Sequence, residues 1–166
     1  MNLVKTDFLN QEQKTAICKL WNAEYPKKLC YDSVAGFENY LSNLSDQKHY
    51  ILNNKNNELL AWAVEFTRDA EKWFAIIVTT DFHAKGLGTD LLNTLKQHNP
   101  ILNAWVIDHD TDLKLNGTIY KSPLAFYLKN KFDVLSTTRL DTDKIKAVKI
   151  RWTKKIAIDL SEEKTK

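Results

Sequence analysis

The segment Trp73-Phe74-Ala75-Ile76-Ile77-Val78-Thr79-Thr80-Asp81-Phe82-His83-Ala84-Lys85-Gly86-Leu87-Gly88-Thr89 joins an apolar run to a turn that holds two of the chain's four glycines. The apolar run favours a β-strand, whereas Leu87, Leu91 and Leu95 recur at helical spacing. The turn therefore connects a strand to an amphipathic helix. Glycine has no Cβ, so a ligand can approach its backbone closely, and the unpaired amides at a helix start carry the positive end of the helix dipole. The segment predicts a site for anionic oxygens such as those of a phosphate.

Three phosphate-binding patterns differ in the spacing of their glycines and lysine. A P-loop requires Lys-Ser/Thr directly after its last glycine, whereas Lys85 precedes Gly86 here. A dinucleotide-binding loop requires a third glycine, which Thr89-Asp90-Leu91 does not supply. The spacing that matches is Arg/Gln-x-x-Gly-x-Gly/Ala with His83 at the first position, and here the chain resembles the GNAT N-acetyltransferase superfamily.

A second segment, Ser122-Pro123-Leu124-Ala125-Phe126-Tyr127-Leu128-Lys129-Asn130-Lys131-Phe132, follows in the order typical of that family. It resembles the family segment in which a tyrosine precedes a Gly-Phe pair, and Tyr127 matches that tyrosine. Two positions depart from the pattern. Lys131 stands at the usual glycine, and Tyr120 stands where an Asn is often found. The two motifs cover roughly residues 59–132, and the order of elements extends the resemblance to most of the chain.

The resemblance implies a GNAT-like fold of mixed α/β class. Its sheet is mostly antiparallel, splays at two parallel strands and is flanked by about four helices, in one domain over 1–160 with a short tail over 161–166. The residue patterns predict strands over 3–8, 49–52, 59–66, 73–80, 102–107, 132–138 and 145–152. They predict helices over 11–25 and 34–44, and two more that begin at Leu87 and Pro123, with Asp32 or Ser33 capping the second and Ser122 the last. His49 is expected at a strand edge.

Composition is that of a soluble globular protein and excludes several classes. Apolar residues make up 43% of the chain and charged residues 27%, and no apolar run approaches the ~20 residues of a membrane helix. A net charge of +3 is too small to indicate nucleic-acid binding. The N-terminus lacks the pattern of a secretory signal, so a cytoplasmic location is expected. Cys18 and Cys30 lack the spacing of a disulfide framework or a zinc site, so we predict no metal.

The resemblance implies acetyl-CoA as co-substrate, lying against the splayed strands with its pyrophosphate on the glycine turn. Main-chain amides of the turn are the predicted phosphate donors, namely those of His83, Ala84, Lys85, Gly86, Leu87, Gly88 and Thr89. The Lys85 side chain adds positive charge. The main chain at Val78 and Thr80 is expected to pair with the pantetheine arm like an added strand, and Ser122 is a further predicted cofactor contact.

Direct acetyl transfer to an amine requires a polarised thioester carbonyl and a proton for the departing thiolate. Tyr127 is the predicted acid, because a phenol with a pKa of about 10 is protonated at neutral pH. The amide near Val78 is the predicted oxyanion donor. The base stays open, with Glu71, Glu65 and His109 as candidates.

The acceptor is expected beside the first two helices, where aromatic residues suit an amine with an apolar body. Trp21 and Tyr25 are the predicted acceptor contacts, with Cys30 and Tyr31 nearby in the sequence. The sequence leaves the acceptor as a small-molecule or peptide amine and the protein as a monomer or homodimer. Two alternatives remain open: a CoA-binding module without transferase activity, and a protein that binds another phosphorylated ligand through the same turn.

Overall fold

The computed structural model describes residues 1–156, so the predicted tail and the last four residues of the predicted domain lie outside the described part. Seven strands are present there: β1 Asn2–Thr6, β2 Ser45–Asn53, β3 Leu59–Arg68, β4 Glu71–Val78, β5 Ile101–Ile107, β6 Asp133–Asp141 and β7 Lys146–Thr153. Four α-helices flank them: α1 Gln11–Glu24, α2 Val34–Ser42, α3 Leu87–His98 and α4 Leu124–Lys129. None of the helices described is long and apolar enough to cross a membrane.

The seven strands form one sheet in the order β1-β2-β3-β4-β5-β7-β6. Every neighbouring pair within residues 1–156 is antiparallel except β4 and β5, which are parallel and share the single register pair Trp73 and Asn103. The side-chain Nδ2 of Asn103 donates a hydrogen bond to the Lys72 carbonyl over 3.0 Å, which ties the two strands together at this end. Towards their carboxyl ends the strands separate. The predicted mixed α/β fold, with a mostly antiparallel sheet splayed at two parallel strands, is therefore confirmed.

Two apolar layers cover the sheet, one on each face. Helices α1 and α2 pack on one face through a layer that includes Ile17, Trp21, Phe37, Leu41, Trp62, Val64, Phe66, Trp73 and Ile77. The other layer joins α3 and α4 to the sheet and includes Tyr50, Phe74, Leu91, Leu92, Leu95, Leu102, Tyr127, Phe132 and Ile150. Residues alternate between the layers along each strand because successive strand side chains point to opposite faces. The gap between β4 and β5 is thus bordered by both layers.

Predicted boundaries differ from those of the structure by up to four residues, most at β2, which begins at Ser45. Three of the differences concern β4, α4 and His49. Strand β4 ends at Val78, because the main chain over Thr80–Phe82 forms a 3-10 turn. Helix α4 begins at Leu124, one residue later than predicted, although the Ser122 hydroxyl still accepts a hydrogen bond from the Leu124 amide over 3.2 Å. His49 is not at a strand edge. It is fully buried in β2, where Nδ1 accepts a hydrogen bond from the indole Nε1–H of Trp62 over 3.1 Å.

The turn after α4 explains how Lys131 replaces the usual glycine. Lys131 has a φ of 72°, in the left-handed region that favours glycine. The Phe132 amide donates to the Tyr127 carbonyl, and the Lys131 amide donates to the Leu128 carbonyl, each over 3.1 Å. These two bonds define a Schellman motif with Lys131 at the position where glycine is commonest. The turn is therefore the one that glycine makes, with a lysine held in its backbone conformation.

Candidate active site

A cleft of about 380 Å³ opens where β4 and β5 separate. Its lining comes from both faces of the sheet and from the segment between β5 and α4. The lining includes Trp21, Glu24, Tyr25, Tyr31, Tyr40, Arg68, Trp73, Ile76, Val78, His83, Trp105, Ile107, Tyr120, Lys121 and Tyr127. The cleft thus passes through the sheet, with the α3 and α4 side available to one ligand and the α1 and α2 side available to another.

The glycine turn lies at one end of this cleft, directly before α3. Gly86 has a φ of 86°, and the first bond of the helix runs from the Asp90 amide to the Gly86 carbonyl over 2.9 Å. The amides of Leu87, Gly88 and Thr89 precede that bond and so have no partner within the helix. Three successive donors at a helix start are the arrangement that binds phosphate oxygens. The Lys85 side chain is exposed beside them.

The second glycine of the turn lies where helices α3 and α4 approach each other. A Cβ on Gly88 would lie 3.2 Å from Cζ of Phe126, so the phenyl ring would have to shift by a few tenths of an ångström to admit it. Gly88 therefore allows α3 to lie against α4. The close approach of the two helices also sets the position of Tyr127, the residue after Phe126.

The His83 side chain folds back from the turn onto the end of β4. Its Nε2 lies 2.7 Å from the main-chain oxygen of Val78, and because that oxygen only accepts hydrogen bonds, Nε2 must carry the proton. Arg, Gln and His share the ability to donate a side-chain N–H. The residue at this position thus provides a donor for the last carbonyl of β4, and its ring also lines the cleft.

The main chain of β4 presents polar groups to the gap. In an antiparallel pair, residues alternate between those that exchange main-chain hydrogen bonds with the partner strand and those whose groups point away. The Thr79 amide donates to the Leu60 carbonyl over 2.9 Å, so the alternation turns the main-chain groups of Val78 and Ile76 away from β3, towards β5. Because β5 pairs with β4 only near Trp73, these groups border the open gap.

Thr80 and Ser122 are already engaged within the protein. The Thr80 amide donates to Oε1 of Glu24 over 3.1 Å, so the structure does not leave this amide free for a cofactor. The Ser122 hydroxyl donates to the Ile107 carbonyl over 2.6 Å while accepting from Leu124, and the Ser122 amide donates to Oδ1 of Asp110. Both residues fix the walls of the cleft through these bonds.

Glu24 was not among the residues that we predicted for the site. Its Oε2 accepts a hydrogen bond from the Thr80 hydroxyl over 2.7 Å and lies 3.5 Å from Nζ of Lys114. Among the residues described, Glu24 is the one carboxylate that lines the cleft. A signal was present in the sequence: Glu24 is the last residue of α1, and a carboxylate is unfavourable at a helix C-terminus unless another group stabilises it.

Tyr127 projects from α4 into the cleft and is only 7% exposed. Its ring packs against Phe74, Phe126 and Phe132, with centroid distances of 5.9, 5.0 and 5.4 Å. Burial raises the pKa of the Tyr127 hydroxyl, so that it stays protonated throughout the neutral range. The side chain is thus a proton donor held in a fixed position.

The three predicted bases do not line the cleft. Glu71 begins β4, at the opposite end from Val78, and a hydrogen bond from Nζ of Lys149 lowers its pKa. Glu65 is buried and accepts a hydrogen bond from Nδ2 of Asn99 over 2.9 Å. Nδ1 of His109 accepts a hydrogen bond from the Thr111 hydroxyl, two residues away. Each group has a partner away from the cleft lining, although Nε2 of His109 is buried and has no hydrogen-bond partner among the residues described.

The predicted acceptor residues Trp21 and Tyr25 lie on the α1 and α2 side of the cleft. The Trp21 ring is 4.5 Å from the Tyr25 ring, edge to face, and its indole N–H donates to the Leu29 carbonyl over 2.9 Å. Tyr31 adds a further ring to the same wall, and burial raises its pKa to about 12. Cys30 is not part of the lining. Its thiol instead lies 3.4 Å from the Asn22 carbonyl. The wall is largely aromatic.

Comparison with known proteins identifies the fold. No protein-family model matches the chain, and no curated protein sequence matches it significantly. Several solved structures do match. An aminoglycoside 6'-N-acetyltransferase complexed with coenzyme A has a TM-score of 0.70 at 15% identity, covering 96% of this chain and 100% of that chain.

Two further matches are of the same kind. A GNAT superfamily phosphinothricin acetyltransferase from Sinorhizobium meliloti, in complex with AcCoA, has a TM-score of 0.62 at 12% identity and covers 92% of this chain and 89% of that chain. The ribosomal-protein-S18-alanine N-acetyltransferase of Escherichia coli has a TM-score of 0.58 at 16% identity and covers 95% and 97% of the two chains. The chain therefore has the fold of the GNAT acetyltransferases.

Proposed function

We propose that this protein is an acetyl-CoA-dependent N-acetyltransferase that acts on a primary amine. One observation carries the proposal: a glycine turn with free helix amides, an open edge of β4 and the Tyr127 hydroxyl border one cleft at the splay of two parallel strands. Two of the structural neighbours described above were solved with CoA or acetyl-CoA. The likeness in fold supports the same co-substrate here.

In this proposal the cofactor lies along the β4 edge. The amides of Leu87, Gly88 and Thr89 bind pyrophosphate oxygens, and the Lys85 ammonium adds attraction from the rim of the turn. The main-chain groups of Ile76 and the second lone pair of the Val78 carbonyl pair with the amides of the pantetheine arm as an added strand would. The thioester then lies near Val78, between the two faces of the sheet.

The chemistry is a direct displacement at the thioester. The neutral amine attacks the carbonyl carbon, and the Val78 amide donates a hydrogen bond to the oxygen that becomes negatively charged. The carbon–sulfur bond then breaks, and the Tyr127 hydroxyl donates its proton to the departing thiolate. The products are the N-acetylated acceptor and CoA.

The attacking amine must also lose a proton. We infer that Glu24 accepts it, directly or through a water molecule, because no other carboxylate within residues 1–156 lines the cleft. The Thr80 hydroxyl and the Lys114 ammonium hold the Glu24 carboxylate in place on the α1 side. Amine and base thus lie on the side of the sheet that faces the predicted acceptor residues.

A second function is supported by one observation. None of the three bases that the sequence suggested lines the cleft. A CoA-binding module without transferase activity needs no base, so the observation agrees with such a module. Release of CoA thiol from acetyl-CoA during incubation with a panel of primary amines distinguishes the two. Amine-dependent thiol release supports the transferase, whereas binding of acetyl-CoA without release on any amine supports the module. A cytoplasmic location, a monomeric or homodimeric state and the acetyl preference remain predictions from the sequence.

A further inference from the structure

Arg68 lies on the acceptor side of the cleft without an anionic partner. Its guanidinium carbon is 5.0 Å from the ring centroids of both Phe66 and Trp73, so the cation lies over an aromatic floor. No carboxylate within the described part of the chain lies within 4.0 Å of this guanidinium. Arg68 is partly buried and lines the cleft. A partly desolvated cation of this kind attracts an anion more strongly than an exposed one does.

The carboxylate opposite Arg68 in the sheet forms ion pairs with other cations. Glu71 is directly opposite Arg68 in the pairing of β3 with β4. Its carboxylate instead forms ion pairs with Lys149, over 3.1 Å, and with Arg151. Two cations therefore share the Glu71 carboxylate while Arg68 has none, which leaves a local excess of positive charge at this end of the cleft. The Lys149 ammonium also lies 5.0 Å from the centroid of the Trp73 ring, so cations from β3 and β7 border the same indole.

Trp73 adds a donor that the protein does not satisfy. Its indole Nε1 is buried and has no hydrogen-bond partner among the residues described. A buried N–H without an acceptor is costly, and an oxygen atom supplied by a ligand would remove that cost. Trp73 lines the cleft beside Arg68. An unpaired cation and an unpaired donor at one place call for the same complement, a negatively charged oxygen.

The position of these groups sets the size of the molecule that would use them. Trp73 marks the closed end of the splay, where β4 pairs with Asn103. Val78 is five residues further along β4, which corresponds to about 16 Å of strand. An acceptor with its amine near Val78 therefore reaches Arg68 only if its charged group is several bonds from the amine.

We propose that the acceptor is an amine with a carboxylate or phosphate at its distal end, and that Arg68 and Trp73 bind this anionic group. The proposal rests on the proposed function and names the substrate class. Arginine presents a planar fork of donors that matches the two oxygens of either group. Polycationic amines are disfavoured, because a second ammonium would meet the excess positive charge around Glu71.

The test uses five-residue and six-residue peptide amides with a free N-terminal amine, alanine at most positions and one Glu placed in turn at each position from the second to the last. The matched probes carry Gln at the same position, and one series carries phosphoserine. Binding is measured by isothermal titration with and without CoA, which has no acetyl group to transfer. We expect the best Glu or phosphoserine peptide to bind about tenfold more tightly than its Gln counterpart, as a charge-assisted bidentate pair would provide.

The Arg68→Gln variant separates this site from general attraction to a basic protein. We expect Arg68→Gln to abolish the preference for Glu over Gln. The matched control is Arg139→Gln, which removes an arginine that is paired with Asp108 and Asp141 away from the cleft lining. It should keep the preference. Equal binding of Glu and Gln peptides to the unmodified protein, or a preference that survives Arg68→Gln, would overturn the proposal.

Failure of the transferase proposal gives a different result. Titration of the same samples with acetyl-CoA tests that proposal, because it depends on the glycine turn and not on Arg68. A preference for anionic peptides without acetyl-CoA binding would support the anion site and contradict the transferase proposal. Acetyl-CoA binding with no such preference would support the co-substrate and contradict the anion site.

Discussion

Nε2 of His83 donates a hydrogen bond to the main-chain oxygen of Val78 over 2.7 Å. The first residue of the glycine-turn motif thus satisfies the last carbonyl of strand β4. The bond ties the turn to the strand edge that would hold the pantetheine arm. The position of the phosphate-binding amides relative to that edge therefore depends on one side chain.

Replacement of His83 tests this link. We expect His83→Ala to weaken acetyl-CoA binding by about fivefold, because the loss of one hydrogen bond costs about 1 kcal/mol and frees the turn. His83→Gln is the matched control, since its amide can still donate to Val78, and it should bind nearly as well as the unmodified protein. Isothermal titration with acetyl-CoA measures both. Equal affinity of the Ala variant would show that the bond does not position the turn.

Tyr127→Phe tests the acid. The substitution keeps the buried ring and removes only the hydroxyl, so we expect kcat to fall by about 100-fold, within the range for loss of a general acid, while the Kd for acetyl-CoA changes little. Steady-state kinetics on an active amine and titration of acetyl-CoA provide the two numbers. An equal loss of kcat and of acetyl-CoA affinity would indicate a packing role for this tyrosine.

Glu24→Gln tests the inferred proton acceptor. The amide can still accept a hydrogen bond from Thr80 but cannot take up a proton at neutral pH. We therefore expect kcat/KM to fall by about 100-fold near pH 7 and to recover at higher pH, where more of the amine is already neutral. A rate that is reduced equally at every pH would argue that Glu24 only positions Thr80 and the turn.

Lys131→Gly tests the left-handed turn after α4. A residue with a Cβ costs about 1–2 kcal/mol in this backbone conformation, and part of the gain from glycine is offset by its greater freedom in the unfolded chain. We expect Lys131→Gly to raise the free energy of unfolding by about 1 kcal/mol in urea titrations. Lys131→Ala keeps the Cβ and should bring no such gain. A destabilised glycine variant would show that the lysine side chain contributes more than its backbone costs.

The buried His49 predicts a pH dependence of stability. Burial lowers the pKa of His49 from 6.5 to about 4, so the unfolded chain takes up a proton before the folded one as the pH falls. The free energy of unfolding should therefore be highest above about pH 6.5, where His49 is neutral in both states. It should fall by up to about 3 kcal/mol between pH 6.5 and 4. Urea unfolding at pH 7, 6, 5 and 4 measures the slope. His49→Gln removes the titrating group, so an unchanged slope in this variant would assign the effect to other residues.

The sequence was sufficient to predict the architecture because the patterns that carry it are local. An apolar run, a two-glycine turn and leucines at helical spacing define the strand, turn and helix around Gly86 without knowledge of the rest of the chain. Gly88 was singled out as a phosphate donor of the turn, whereas its closest contact, Phe126, is 38 residues away and became visible only in the fold.

The residues of the site were harder to predict because their partners come from distant parts of the chain. Glu24 contacts Thr80 across 56 residues, and no local pattern links the two. Glu71 was expected near the chemistry as a strand residue, but the return of β7 beside β5 brings Lys149 and Arg151 to its carboxylate. His49 was expected at a strand edge, but β1 pairs with β2 from the N-terminal end of the chain and makes β2 an internal strand.

Isothermal titration of the protein with acetyl-CoA, with ATP and NAD as controls, is the first test of acetyl-CoA as its co-substrate. Lys85→Glu reverses the charge at the rim of the glycine turn, and Lys55→Glu makes the same change in the exposed turn between β2 and β3. We expect micromolar binding of acetyl-CoA in preference to both controls, weakened by Lys85→Glu and unaffected by Lys55→Glu. Absence of acetyl-CoA binding, or equal binding of all three ligands, would contradict this expectation.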